Sequence, residues 1–403
     1  MNTAWETATV EECLVPVSVA GKSKIQTKDY KTAGPYPIVD QAQATIAGWT
    51  DVLDAVIDNP LPLIVFGDHS RTFKYVDEPF ARGADGTQLL RPVDEIDPLF
   101  FFYACRAIDL PSRGYNRHFT LLKEKEVSYP KDEAVQRSIA SLLRHAERAI
   151  AVQSQLVALL QRIKTATMQQ LFTSGLRGEA QKETEIGPIP ESWALDTLDE
   201  HFSVSSGGTP SRANAAYWSG GTIPWVKTTE VKYAVITETE ERITEAGLDG
   251  SAAKMLPPGT LLLAMYGQGV TRGKVAILGI EASCNQACAA MIPTDDAVLP
   301  QYLYHYLTSR YEAIRSLAHG GQQQNLNLDI VRTIDVPVPR TMEEQHDIVV
   351  VLDALDRKID LHCRKREVLD QLFESLLHRL MTGEVAGEDL DLTFLPSAEG
   401  SAA

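Results

Sequence analysis

Long hydrophobic runs are missing from this 403-residue chain. No stretch approaches the roughly 18 apolar residues of a membrane span, and the opening residues MNTAWETATVEEC carry acids where a secretory leader needs a basic start and a greasy middle. The expected protein is cytoplasmic and not membrane-spanning. Cysteine is scarce: Cys13, Cys105, Cys284, Cys288 and Cys363 form an odd set in a large chain, so reduced thiols are expected and no disulfide framework. Basic charge is also short. The 38 Lys and Arg against 54 Asp and Glu leave a net charge of -16, which argues against a free-standing nucleic-acid binder. Only residues 131–178 are basic, with seven Lys or Arg against three Asp or Glu. The last twenty residues hold five acids and no base, the composition of a disordered acidic tail.

Catalytic signatures are absent too. The stretch Gly267-Gln-Gly-Val-Thr-Arg-Gly273-Lys274-Val275 fails both the spacing and the final hydroxyl of a phosphate-binding P-loop, and Arg272 stands where a dinucleotide loop needs its third glycine. Asp97-Pro98-Leu99-Phe100 lacks the second proline of an adenine-methyltransferase motif, and neither a G-x-S-x-G nor an H-E-x-x-H motif occurs. Cys284 and Cys288 lack a second ligand pair at zinc spacing and read as structural thiols.

What the chain does have is ordinary globular composition, 44% hydrophobic and 23% charged, a length suited to two or three domains, and an internal repeat. A shift of 209 residues sets Gln136, Ile139 and Leu143 on Gln345, Ile348 and Leu352, and further along Ile150 on Ile359, Leu160 on Leu369 and Leu171 on Leu380. Upstream it pairs Asn116 with Asn325, Phe119 with Leu328, Val127 with Val336 and Pro130 with Pro339. Farther upstream the offset drifts, as loops do: Pro98 falls on Pro300 and Phe66-Gly67 on Tyr266-Gly267. The chain reads as two copies of a globular unit, each followed by a long helix.

The second helix carries a stripe in steps of four and three: Ile348, Leu352, Leu355, Ile359, His362, Arg366, Leu369, Phe373, Leu376 and Leu380. That is a coiled-coil seam. The first copy places Ile139, Leu143, Ala146, Ile150, Gln153, Val157, Leu160, Lys164, Thr167 and Leu171 on the same stripe, with Ile163 and Met168 beside its polar positions. Helices of about 40 residues reach about 60 Å, and the two stripes can bury each other only as an intramolecular pair. The globular copies mix apolar runs such as residues 61–66 and 259–266 with glycine turns and short helices such as 300–315, and read as α/β or α+β. Residues 179–192, polar with two prolines, suit a linker. The expected boundaries are 1–130 and 181–340 for the globular copies, 131–180 and 341–383 for the helices, and 384–403 for the tail.

Candidate binding residues cluster in glycine loops. In copy two, Tyr266, Gln268, Thr271, Arg272 and Lys274 line one such loop, and Gln322, Gln323, Gln324 and Asn325 follow the glycines of a second, after His319. Arg, Lys and Thr contact phosphates, and Gln and Asn bond adenine in a bidentate way. Copy one offers His69, Ser70 and Arg71, then Tyr115, Asn116, Arg117 and His118, at the matching places, with Lys22 and Lys24 in a basic cluster that also holds Lys28 and Lys31. Arg212, Lys227 and Thr228 are further polar candidates.

Two variable units alternating with two long repeated helices resemble the specificity subunit of type I restriction-modification systems. The local matches are Gly221-Thr-Ile-Pro-Trp-Val-Lys-Thr-Thr-Glu230, Gln324-Asn-Leu-Asn-Leu328, and Ile334-Asp-Val-Pro-Val-Pro339 followed by Glu344-Gln345-His-Asp-Ile348. Copy one departs, with Gly-Tyr-Asn-Arg-His-Phe in place of Gln-Asn-Leu-Asn-Leu and only Gly34-Pro-Tyr-Pro-Ile-Val39 for the Ile-Pro-Trp stretch. The resemblance implies two target-recognition domains that each bind half of a bipartite double-stranded DNA site, held apart by two antiparallel coiled-coil helices acting as a ruler. It implies partners as well: two modification (methyltransferase) subunits docked along the helices and restriction (translocase and nuclease) subunits. S-adenosylmethionine, ATP and Mg are then expected on those partners, with no cofactor and no catalysis on this chain. The alternative from another class is a coiled-coil scaffold with two protein-binding globular repeats, which the acidic charge favours and the arginine- and amide-bearing loops disfavour.

Overall fold

The computed structural model describes residues 5–83, 86–111, 117–267, 270–319 and 325–384. The chain divides into two compact units. One holds Met1–Ser154 with Cys363–Ala403, and the other holds Gln155–His362. The first unit is not a continuous stretch ending in a helix, as the repeat alone suggests, and the second both begins and ends inside a long helix. The long helices Glu133–Ser174 and Met342–Met381 each contribute one part to each unit.

In the first unit, strand Trp5–Thr9 pairs antiparallel with Glu126–Pro130. Strand Leu63–Gly67, buried at all five positions, lies between Phe73–Val76 and Thr87–Leu90. A second sheet runs Tyr36–Val39 parallel to Phe80–Arg82, with Gly48–Thr50 on its other side. The second unit repeats this plan. Ala194–Thr197 pairs with Asp335–Val338, Leu261–Ala264 lies between Val275–Leu278 and Cys288–Pro293, and Ile223–Val226 runs parallel to Ser283–Cys284 beside Glu241–Ile243. Ile38 opposite Ala81 and Trp225 opposite Ser283 are therefore equivalent pairs, and Tyr36–Val39 is the counterpart of Ile223–Val226. Copy two adds strand Phe202–Ser206 to its larger sheet.

The conserved anchor of both copies is a glutamine. Pro98 opens helix Pro98–Ala107 and Pro300 opens Pro300–Ser309, first-turn positions where a missing N–H costs nothing. Just ahead of the first, the Asp97 N–H donates to Gln136 Oε1 (2.7 Å), and Gln136 Nε2 donates to the carbonyls of Pro130 (2.7 Å) and Glu95 (3.1 Å). Just ahead of the second, the Leu299 N–H donates to Gln345 Oε1 (2.9 Å) and Gln345 Nε2 donates to the Ala297 carbonyl (2.7 Å). Both glutamines are fully buried. Each fastens the start of a long helix to its globular copy.

Every stripe position named above is buried or half-buried. In the first unit, Ile139 and Leu143 from the start of the first long helix share a core with Phe373, Leu377 and Leu380 from the end of the second. In the second unit, Met168, Leu171 and Phe172 from the end of the first helix meet Ile348, Val349 and Leu352 from the start of the second, and Lys164 Nζ lies 2.5 Å from Asp356 Oδ1. The helices are thus antiparallel in each unit. Aromatic rings tie them to the globular copies: Phe373 stands edge-on to Tyr103 at 6.2 Å, and Phe172 to Tyr302 at 5.5 Å and Tyr306 at 5.4 Å. Burying such a side chain stabilises by about 2–3 kcal/mol, so the aromatic anchors outweigh any single surface pair.

Two expectations are corrected, and a third lies outside the described residues. Residues 179–192 are no linker: Gln181–Thr184 and Gly187–Pro190 form an antiparallel hairpin, turned at Gly187 (φ 104°), and Lys182 Nζ donates to the Trp193 carbonyl at 2.5 Å. The hairpin's amphipathic signal is only four residues per strand, too short to show as a pattern. The 300–315 helix is two, Pro300–Ser309 and Tyr311–Ser316, separated at Arg310 (φ -94°, ψ 11°). The acidic tail from 385 onward lies outside the described residues.

Candidate nucleic-acid interface

Strand register brings the copy-two loops to one sheet edge. Ala264 stands opposite Cys288 and Ser206 opposite Ala289, so the chain leaves Leu261–Ala264 and Phe202–Ser206 where Cys288–Pro293 begins. The Asn285 N–H donates to the Val226 carbonyl (3.0 Å) and the Met265 N–H to Ala287 (2.8 Å), adding the end of Ile223–Val226 to the same edge. Finally the Leu326 N–H donates to the Met265 carbonyl (3.2 Å), so the residue that follows the second glycine loop lies beside the start of the first. Gly207 and Gly208 permit this convergence, because a Cβ on either would lie within about 2.2 Å of the backbone at Cys284 or Ala253.

The hairpin of residues 265–274 carries most of the candidates. Tyr266 is exposed, Thr271, Arg272 and Lys274 are half-buried, and Gln268 lies outside the described residues. Gly273 (φ 88°) makes the turn, and the Tyr311 hydroxyl pins the tip by donating to the Val270 carbonyl at 2.7 Å. Lys274 Nζ sits 5.7 Å from the centre of the Tyr233 ring. Gln322, Gln323 and Gln324 lie outside the described residues, while Asn325 is exposed at the end of their loop. Sequence reasoning passed over two exposed residues here. Val270, 66% exposed, is an apolar tip of the kind that meets a thymine methyl, and Gln286 is an exposed amide beside Thr209, whose hydroxyl donates to it. Gln286 sits between Cys284 and Cys288, a stretch weighed only for its thiols.

Arg212 and Lys227 reach the same edge with their charges already paired. Arg212 bonds Glu241 and stacks on Trp218 at 3.7 Å. Lys227 Nζ lies 2.5 Å from Glu240 and 3.3 Å from Glu241. The hydrogen bond to Glu240 holds the lysine above its ordinary range, and Lys227 in turn holds Glu240 below the usual carboxylate range. Exposed pairs of this kind are held weakly, so a phosphate can displace the carboxylates. Thr228 is a correction. It is 8% exposed, its hydroxyl donates to Asn285 Oδ1 (2.8 Å) and lies 3.7 Å from Cys288 Sγ, so it locks the edge from inside and is no surface contact. The cysteines are free thiols, and a hydrogen bond with Cys288, together with burial, pushes the Cys284 thiol well above its ordinary range.

Copy one gathers its loops at the equivalent edge. Gly67 stands opposite Thr87, the Asp68 N–H donates to the Gly86 carbonyl (2.7 Å), and the Gly83 N–H donates to Val39 (2.9 Å). The His118 N–H donates to the Asp68 carbonyl (3.1 Å), the counterpart of the Leu326–Met265 bond. Asp68, 2% exposed, also accepts the N–H groups of His118 (2.7 Å) and Phe119 (2.8 Å) on its carboxylate. His118 is therefore buried structure, and Arg117 beside it is exposed. Arg71, at φ 60°, donates to the Leu110 carbonyl (2.6 Å); Ser70 shares a hydrogen bond with Thr72 (2.7 Å); His69 is half-buried. Lys22 and Lys24 are half-buried and precede Ile25, whose N–H donates to the Arg82 carbonyl (2.9 Å) at this edge. Tyr115 and Asn116 lie outside the described residues. Lys74 is a buried clamp that periodicity concealed: 6% exposed, it donates to the carbonyls of Asp40 (2.8 Å) and Ala44 (2.5 Å) and holds the 40–44 loop at the edge.

Residues 190–371 match the family model described as the type I restriction modification DNA specificity domain. The chain is similar to type I restriction enzyme specificity subunits in sequence and in fold. It is 24% identical to the Escherichia coli type I restriction enzyme EcoR124I/EcoR124II specificity subunit over 360 residues, 83% of each chain. It is 30% identical to the MjaIX specificity subunit of Methanocaldococcus jannaschii over 208 residues, 50% of this chain and 47% of that one. The fold matches a crystal structure of the type I restriction-modification S subunit from M. genitalium with a TM-score of 0.65 at 16% identity, covering 94% of this chain and 96% of that one. These specificity subunits do not favour the scaffold alternative. Among the described residues no helix is long and apolar enough to cross a membrane, and no group of His, Cys, Asp and Glu stands ready to hold a metal ion.

Proposed function

We propose that this chain is a specificity subunit that reads a bipartite DNA site, one half through the edge built by residues 67–71 and 117–118 and the other through the edge built by residues 265–267, 270–274, 285–287 and 325–326. The observation that carries the reading is the convergence of two loops on one sheet edge in both copies, through His118 to Asp68 and Leu326 to Met265. Catalysis, with S-adenosylmethionine, ATP and Mg, belongs in this reading to partner subunits. Those partners also supply much of the phosphate contact that a chain of net charge -16 lacks.

The helices support partner docking. Val152, Leu159 and Ile163 on the first are 42% to 50% exposed, and Leu361, Val368 and Leu372 on the second are 48% to 63% exposed. A shift of 209 residues converts one set into the other. In each set the last two, four residues apart and within one unit, lie on one helix face: Leu159 with Ile163, and Val368 with Leu372. Two equivalent apolar faces fit two copies of a modification subunit. Leu159→Glu should remove one copy and the Leu159→Glu, Val368→Glu pair both, read as stoichiometry by native mass spectrometry.

The reading itself is tested by base-resolution adenine-methylation mapping in cells that express this chain with its modification subunit, against the modification subunit alone. A new bipartite motif is the expected result, and no new motif despite a stable complex overturns it. Arg272→Ala should then relax one half-site, since a good base contact carries about 1–3 kcal/mol of discrimination. Methylation at near-cognate sites rises about tenfold or more while the other half-site and complex assembly hold. An unchanged motif would remove Arg272 from the reading edge.

A further inference from the structure

A groove of about 830 Å³ in the first unit runs from the copy-one edge, at Gln43, Thr45 and Ser70, to the first long helix. Five cations line it: Arg71, Lys74, Arg106, Arg144 and Arg148. Two carboxylates, Asp109 and Glu147, share the lining, while Asp77 and Asp40 pair with Arg144 and Lys74 from beside it. In a chain with 16 more acids than bases this is a local reversal of sign.

The cations are held in place. Arg106 bonds Glu147 and lies within 5.8 Å of the ring centres of Phe102, Tyr103 and Phe373. Arg144 lies 5.1 Å from the Tyr75 ring centre, with Asp77 at 3.2 Å. Arg148 is exposed one turn farther along the same helix face. The guanidinium fork suits phosphate oxygens, and aromatic walls fix its orientation at little entropic cost.

Copy two differs at this place. The repeat sets Asp353 and Asp356 where Arg144 and Glu147 stand, and Thr308 where Arg106 stands. There His305 Nε2 lies 2.9 Å from Asp353, and Lys164 is taken up by Asp356 at 2.5 Å. A phosphate beside that wall meets carboxylates.

Resting on the DNA-reading function, we propose that the Arg71–Arg144–Arg148 groove carries the sugar–phosphate backbone flanking the copy-one half-site, and that the corresponding copy-two wall makes no phosphate contact. Backbone affinity along this helix-side wall is one-sided, and phosphates that pass the copy-two wall are left to the partner subunits.

The test is the salt dependence of duplex binding by the assembled complex with its modification subunits, read by fluorescence anisotropy from about 50 to about 200 mM salt. Arg148→Ala should make the plot of log affinity against log salt shallower by about 0.9, and Arg144→Ala with Arg148→Ala by about twice that, for one phosphate contact each. Arg148→Glu should exceed Arg148→Ala, and because Arg148 is exposed both variants keep the wild-type melting temperature. The matched copy-two variant Arg357→Ala should leave the slope unchanged, and the methylated motif should be the same in all. Wild-type slopes in the Arg148 variants overturn the proposal, as does an equal loss in Arg357→Ala. So does binding of inorganic tripolyphosphate to the DNA-free complex that Arg148→Ala abolishes with the duplex slope intact, which would mark a small-anion site. Failure of the reading itself is separate: the wild-type complex would then bind cognate and random duplexes alike, whatever the slopes.

Discussion

Gln345→Leu should lower the melting temperature of the chain by roughly 5–15 °C, and Gln136→Leu should do at least as much. Each glutamine is fully buried and bonds backbone groups: Leu299 and Ala297 for Gln345, and Asp97, Glu95 and Pro130 for Gln136. Leucine fills the volume and leaves those groups unbonded at about 1–3 kcal/mol each, for a total of about 2–4 kcal/mol after partial relaxation. A unit of this size loses about 2–4 °C per kcal/mol. Differential scanning calorimetry resolves the two cases, since each variant weakens the unit that contains it. Melting at the wild-type temperature would show that the two keys are ornaments of the repeat and not its fasteners.

Removing one heptad from each long helix, residues 154–160 and 360–366, should shorten the unspecified spacer of the DNA site by about three base pairs and leave both half-sites unchanged. Seven residues span about 10 Å of helix axis, and base pairs rise about 3.4 Å. A whole heptad keeps both stripes in phase, so the pairing seen in each unit, Lys164 with Asp356 and Ile139 with Phe373, survives. Methylation mapping reads the spacer directly. The same motif with the same spacer would refute the ruler while leaving base reading intact.

Much of this was open to inspection in the residues. The 209-residue shift that aligns Gln136 with Gln345 found the two anchors before their hydrogen bonds were known, and the four-and-three stripe found helix faces that prove buried. The motif resemblance supplied the antiparallel arrangement. Pairing between distant strands left no local trace. Val39 meets Arg82 and Val226 meets Cys284 through strands of two to four residues, too short for a period to register. Thr228 looked like a surface hydroxyl because its neighbours Lys227 and Thr229 are polar, and only the approach of Asn285 buries it. Lys74 was passed over for the opposite reason: a lysine between Phe73 and Tyr75 reads as the solvent side of a strand until two carbonyls close over it.

The first unit is assembled from both extremes of the chain, and this orders events on the ribosome. Its core needs Phe373, Leu377 and Leu380 against Ile139, Leu143 and Tyr103. At about 5–20 residues per second, the stretch from 363 onward emerges roughly ten to forty seconds after residue 154. The second unit, Gln155–His362, has all its parts by then and can close first. The first unit therefore waits for the later stretch, and a chain released before Phe373 leaves the apolar seam of that unit uncovered.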